Sequence, residues 1–149
     1  MLPSIRRKWT LAMASCCALL VAGCSDSIID TRQDAWTKRA ITSYDYSFNW
    51  SCFCGPDLTA PVRISVTAGA ITGVVNRSTS APVAAAHWSD YRTIDGLFAF
   101  LHEAEARNAA EIRLTWDPAF DYPATAFIDY VKDAADDEKT FAASDLAPR

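Results

Sequence analysis

The chain has 149 residues, half of them hydrophobic, with 14 basic and 18 acidic side chains and a formal net charge of −4. That length suits one ordinary domain with a real core. An acidic balance argues against nucleic acid and anionic membrane faces as partners, because both repel the same sign of charge.

The first 24 residues read "MLPSIRRKWTLAMASCCALLVAGC". Arg6, Arg7 and Lys8 form a positive start, and Leu11 to Val21 form an apolar run of about eleven residues. A bilayer span needs roughly 20 apolar residues, so the run predicts a signal-peptide core instead. Its ending, Leu20-Val21-Ala22-Gly23-Cys24, resembles the bacterial lipobox. Small residues let the extended chain enter a peptidase site, and the Cys24 thiolate is the nucleophile that takes the lipid. The expected division is therefore 1–23 signal peptide, 24–29 lipidated tether and 30–147 a single domain. Acyl chains on Cys24 would tie the protein to a membrane, since two or more anchor stably. Ser25, rather than Asp, follows the cysteine, which by the sorting rule for lipoproteins predicts the outer membrane, facing the periplasm.

From Cys24 onward, eleven basic residues face eighteen acidic ones, a net −7. Cys16 and Cys17 leave with the signal and Cys24 is acylated. Cys52 and Cys54 remain, in a compartment that favours disulfides.

Along the chain, Ser25 to Ile29 reads as a polar tether. Asp30-Thr31 can cap a helix running to about Ser43, with Trp36 and Ala40 on one side. In "YDYSFNWSCFC", Tyr44, Tyr46, Phe48, Trp50, Cys52 and Cys54 alternate with other residues, a strand period. Gly55-Pro56-Asp57 turns the chain. "PVRISVTAGAITGVVNR" predicts a hairpin about Ala68-Gly69. Residues 78–92 lack a period and read as a long exposed loop, a kind of segment that is usually functional or mobile. His87, Trp88 and Tyr91 would form a partner-binding tip, or Trp88 would fold back over the sheet.

Thr93 caps a second helix with Ile94, Leu97, Phe98, Leu101 and Glu105 at helical spacing, extended by Ala104. "EIRLTWD" predicts a strand with Ile112, Leu114 and Trp116 inward. "ATAFIDYVK" places Ala126, Ile128 and Tyr130 on one face, "DAADDE" is an acidic turn, and "KTFAASDLA" closes the sheet with Phe141 and Ala143. The order α-β-β-β, loop, α-β-β-β contains no β-α-β unit. The expected fold is α+β: a mostly antiparallel sheet of about six strands with two helices on one face.

Taken in sequence, the lipobox, "CFC", "VRISVTAGAITGVV", "TIDGLF", "TWDPAFDYPATAFIDY" and "DDEKTFAASDL" resemble the bacterial lipoprotein family called domain of unknown function 6174. The resemblance runs from about Trp36 to Leu146. It implies an envelope location and this fold, and it implies no activity and no catalytic residues. The chain departs from the family's usual Tyr-Asp-Pro and Gly-Tyr-Pro, reading Trp116-Asp117-Pro118 and Asp121-Tyr122-Pro123.

Few chemical constellations stand out. Two positions apart on a strand, Cys52 and Cys54 would lie about 6.6 Å apart at Cα. That is near the upper limit for a disulfide, so the strand must bend there. Closing so short a loop stabilises by roughly 1.6 kcal/mol in the chain-entropy model. The pair reads as a local clip, or alternatively as an exchange-active disulfide, although no adjacent lysine or histidine lowers a thiol pKa. The carboxylates at Asp117, Asp121 and Asp129, and at Asp133, Asp136, Asp137 and Glu138, lack the spacing of a calcium loop, leaving an acidic cation-binding protein as another alternative. Asp117 is expected to bond its own turn. His87 and His102 fall at no metal-ligand spacing. No nucleophile elbow or phosphate-binding glycine loop is present. The sequence therefore predicts no catalytic residue, metal or cofactor. It predicts a lipid-anchored binding module with an envelope protein or glycan as partner and no nucleic acid.

Overall fold

The computed structural model describes residues 27–134 and 136–149. The expected signal peptide and the expected lipidation site at Cys24 lie outside the described residues. No helix among the described residues is long and apolar enough to cross a membrane.

Helix α1 spans Ile28–Lys38. Its cap is Ser27, not Asp30: the Ser27 hydroxyl accepts from the Asp30 amide at 3.2 Å, and the Asp30 carboxylate accepts from the Ser27 amide at 2.9 Å. This reciprocal box satisfies two donors that a helix start leaves orphaned. The folded domain thus begins before Asp30, its expected start, because Ile29 is buried in the core. The helix also stops earlier, at Lys38 rather than Ser43. Ala40 takes a left-handed φ of 53° and donates to the Thr37 carbonyl, which ends the helical ladder and leaves Ala40 exposed.

Six strands follow: β1 (Tyr44–Ser51), β2 (Val62–Thr67), β3 (Ala70–Asn76), β4 (Glu111–Trp116), β5 (Pro123–Asp129) and β6 (Lys139–Pro148). They form one antiparallel sheet in the order β3-β2-β1-β6-β5-β4. Each half is a meander whose strands join by short connections, and β1 and β6 pair in the middle. The fold is α+β, with four helical segments among the described residues. Two are long, α1 and α3 (Ile94–Ala106). Two short ones interrupt the expected order: α2 (Pro56–Thr59) between β1 and β2, and a 3-10 turn at Ala85–Asp90.

The alternation in β1 decides the core. Tyr44, Tyr46, Phe48 and Trp50 all point inward and are buried. They form a row of ring contacts 5.2–6.1 Å apart, mostly edge-to-face, the arrangement aromatic quadrupoles favour. Trp36 of α1 meets Tyr44 and Tyr122, and Phe100 of α3 meets Trp50 and Phe141. Ile94, Leu97, Phe98, Leu101 and Ala104 of α3 are buried as the helical spacing predicts, whereas Glu105 lies at the surface. On edge strand β4, Ile112, Leu114 and Trp116 are only half-buried. Tyr130 lies beyond the end of β5 and is half-buried, its ring under the Arg107 guanidinium.

The β2–β3 turn puts Ala68 at φ 49° and Gly69 at φ 78°. Two left-handed residues define the hairpin turn whose twist matches the flanking strands, and glycine adopts that conformation freely. The Ser43 hydroxyl and Thr42 carbonyl accept from the Ala68 and Gly69 amides and hold the turn.

Asp121, just before Tyr122-Pro123, takes a left-handed φ of 65°. Its carboxylate accepts from Arg32 at 2.5 Å and Arg39 at 2.8 Å, joining the loop before β5 to α1. These charge-assisted bonds offset the backbone strain of a non-glycine residue. The Arg39 hydrogen bond, aided by Arg32 against partial desolvation, holds the Asp121 carboxyl below its usual range. A lowered folded pKa means the contribution is present above the unfolded value of about 3.9 and is lost as pH falls through the folded value. Asp121→Asn tolerates the same φ but loses the charge. It is expected to destabilise by about 1 kcal/mol at pH 7. Urea titrations of both proteins should show that difference vanishing under strongly acidic conditions.

Candidate binding groove

β1 ends at Ser51, and the chain then folds on itself: the Cys54 amide donates to the Cys52 carbonyl at 2.8 Å. This bend brings the two Cα atoms to 5.2 Å, inside disulfide range, and the sulfurs are bonded. The clip leaves Phe53 87% exposed at its apex. Gly55 then opens α2 with Pro56 in its first turn, where the missing amide would have been unpaired anyway. Leu58 turns back toward the core.

The expected loop at 78–92 is exposed along most of its length, but it is folded into a flap with a 3-10 turn at Ala85–Asp90. The Asn76 amide donates to the Ala81 carbonyl and the Val83 amide to the Val74 carbonyl, with Val75 and Pro82 bridged. The flap thereby satisfies backbone groups on the β3 edge and shields it. Trp88 does fold back, half-buried, its indole donating to the Val83 carbonyl at 3.0 Å. Tyr91 is only 5% exposed and packs edge-on against Phe48 at 6.5 Å. Of the three residues expected at the tip, only His87 is exposed.

The polar ends of the β1 aromatics pin the flap's exit. The Trp50 indole donates to the Asp90 carbonyl at 2.9 Å, the Tyr46 hydroxyl donates to the Arg92 carbonyl, and the Tyr44 hydroxyl accepts from the Ile94 amide at 2.8 Å. The Arg92 guanidinium closes the turn onto the Ser89 and Tyr91 carbonyls.

Between α2 and the flap lies a cavity of about 340 Å³, lined by Asp57, Leu58, Val83, His87, Asp90 and Tyr91 among others. A second, of about 190 Å³, is lined by Trp50, Cys52, Leu58, Asp90, Phe100 and Lys139 among others. Leu58 and Asp90 line both, so the cavities adjoin along one groove. In the first, burial and then the Asp90 and Asp57 carboxylates push the Tyr91 phenol above its ordinary range. Its hydroxyl has no hydrogen-bond partner among the described residues. His87 Nδ1 stands 3.8 Å from Asp90 Oδ2, too far for a full hydrogen bond. Lys139, 85 residues from Cys54 in the chain, shares the second cavity with Cys52, a neighbour that spacing along the sequence does not reveal.

The remaining candidates are dispersed. Asp117 accepts from the amides of Ala119 and Phe120, as the Asp-Pro turn predicts. Asp137 has both carboxylate oxygens buried with no partner among the described residues. Among the described residues no group of three or more His, Cys, Asp or Glu is placed to hold a metal ion. His102 bonds Gln33 at 2.7 Å, bridging α3 to α1.

These features define a class: an α+β domain on a single antiparallel sheet, with a flap-walled groove beside the β3 side. The chain belongs to the family of unknown function DUF6174, whose model matches residues 29–148, as the sequence resemblance implied. No curated protein and no solved structure matches it.

Proposed function

We propose that the chain is a lipid-anchored lipoprotein of the cell envelope, tethered to the outer membrane through Cys24 and facing the periplasm, and that its domain is a non-enzymatic module binding a protein partner in the groove between α2 and the flap. The observation that carries this reading is the cavity itself, a concave surface with an apolar wall and a few convergent polar groups. Its walls are held rigidly, by the disulfide clip on one side and by the β1 aromatics on the other, and preorganised surfaces bind at lower entropic cost. The exposed Phe53 adds an aromatic contact beside the groove. With Cys24 acylated, only Ser25 and Asp26 would separate the lipid from the Ser27 cap, so the module would stand close to the membrane surface.

Ala81 is exposed on the cavity wall, so Ala81→Trp fills the groove without touching the core. Capture from the protein's own cells, with wild type and Ala81→Trp compared at matched melting temperature, is expected to lose the partner in the variant. Undiminished capture would overturn the groove. Mass spectrometry of the native chain is expected to find an acylated Cys24 as its first residue, and an intact leader would overturn the anchor.

A further inference from the structure

We propose that the cavity beside Tyr91 takes the ammonium- or guanidinium-bearing side chain of a basic segment in the partner protein. This rests on the groove being the partner-binding surface. A tyrosine hydroxyl on a ring this buried normally finds a hydrogen-bond partner inside the protein. That of Tyr91, 5% exposed, opens onto the cavity with none among the described residues. It therefore offers an oxygen to an incoming donor. Asp57 and Asp90 line the same cavity, and no lysine or arginine does. Among the described residues, the one basic group within 4 Å of the Asp90 carboxylate is His87, at 3.8 Å, while Arg92 and Lys139 line the adjoining second cavity. Two carboxylates and a phenol oxygen converging on one space favour a cationic donor and repel an anion.

The walls fit the rest of such a side chain. Leu58, Pro82 and Val83 form an apolar surface for the methylene stem, as long basic side chains bury their stems and keep the head among polar groups. The volume, about 340 Å³, lies at the small end of ligand pockets, suited to a side chain rather than a large cofactor. The net charge of −7 from Cys24 onward steers a basic partner toward the domain.

The test is a magnetic-resonance titration of the protein, purified in detergent, with capped Ala-Lys-Ala, Ala-Arg-Ala and Ala-Gln-Ala at millimolar concentration. At least one basic tripeptide is expected to shift the amides of Leu58, Val83 and Tyr91, and the glutamine tripeptide to leave them unmoved. Tyr91→Phe, which keeps the buried ring, should weaken the basic tripeptide about tenfold, the scale of one hydrogen bond to a charged group. Asp57→Asn with Asp90→Asn, both at exposed positions, should weaken it at least as much. Equal shifts with the glutamine tripeptide, shifts confined to other surfaces, or none with either basic tripeptide would overturn the inference. If Ala81→Trp abolishes partner capture while no basic tripeptide binds, the groove stands and its cationic specificity falls. If a basic tripeptide binds while capture survives Ala81→Trp, the cavity's chemistry stands and its role in partner binding falls.

Discussion

Phe48→Ala is expected to destabilise the domain by about 3–5 kcal/mol, the range for truncating a fully buried aromatic ring. Phe48 lies on the central strand, 1% exposed, and its ring meets Tyr46, Trp50, Tyr91 and Phe141. Rigid rings on four sides limit how far the neighbours can collapse into the space, so a cavity persists. Domains of this size are stable by roughly 5–15 kcal/mol, so the loss removes a large share of the total. Phe53, five residues along, provides the control. It is 87% exposed at the tip of the disulfide clip, and Phe53→Ala should change stability by no more than about 0.5 kcal/mol. Guanidinium denaturation of the two variants beside wild type measures the contrast. Comparable losses would mean that the burial of Phe48 is not what holds the two halves of the sheet together. Because Phe48 backs the Tyr91 ring, its removal should also weaken binding in the groove.

Tyr44→Phe is expected to cost about 1–3 kcal/mol, although it deletes a single oxygen. The first amides of α3 have no partner within the helix. The Thr93 hydroxyl takes the Gly96 amide, and the Tyr44 phenol takes the Ile94 amide at 2.8 Å. Ile94 and Tyr44 are both fully buried, so no water can replace the lost acceptor. The ring itself, packed edge-on against Trp36 at 5.7 Å, is unchanged by the substitution. Burial pushes the Tyr44 phenol far above its ordinary range, so it stays protonated and the loss should not vary across neutral and mildly alkaline pH. Tyr130→Phe makes the opposite case. Its hydroxyl is buried with no partner among the described residues, so removing it should be neutral or slightly stabilising. Urea unfolding of the two variants, with exchange of the Ile94 amide, separates a lost hydrogen bond from a general loosening. An unchanged Ile94 exchange rate in Tyr44→Phe would refute this account of the α3 start.

The class of fold was readable because its signals are local. Period two from Tyr44 to Trp50 identifies the central strand, and the helical spacing from Ile94 to Ala104 identifies α3. The Asp117 turn was legible for the same reason. Local patterns failed where two signals competed, as at α1, where Asp30 looks like the cap until Ser27 is seen to exchange bonds with it.

The groove was hardly legible at all. Residues 78–92 have no period because they pair along the irregular rim of β3 rather than lying on an apolar face. His87, Trp88 and Tyr91 are neighbours in sequence, yet one is exposed, one half-covered and one buried. Asp57, which shares the cavity with Tyr91, arrives on α2 in the β1–β2 connection, and no spacing rule links them. By itself the sequence determined the six strands and the two long helices, though not α2 or the 3-10 turn, and that the strand must bend if Cys52 and Cys54 are to bond, because each depends on residues a few positions apart. Tertiary structure alone decided where Asp121 finds its two arginines, 89 and 82 residues away, and which polar tips of β1 hold the flap. Those choices depend on strands brought together only when β1 pairs with β6, and long-range pairing leaves no periodic mark on the chain.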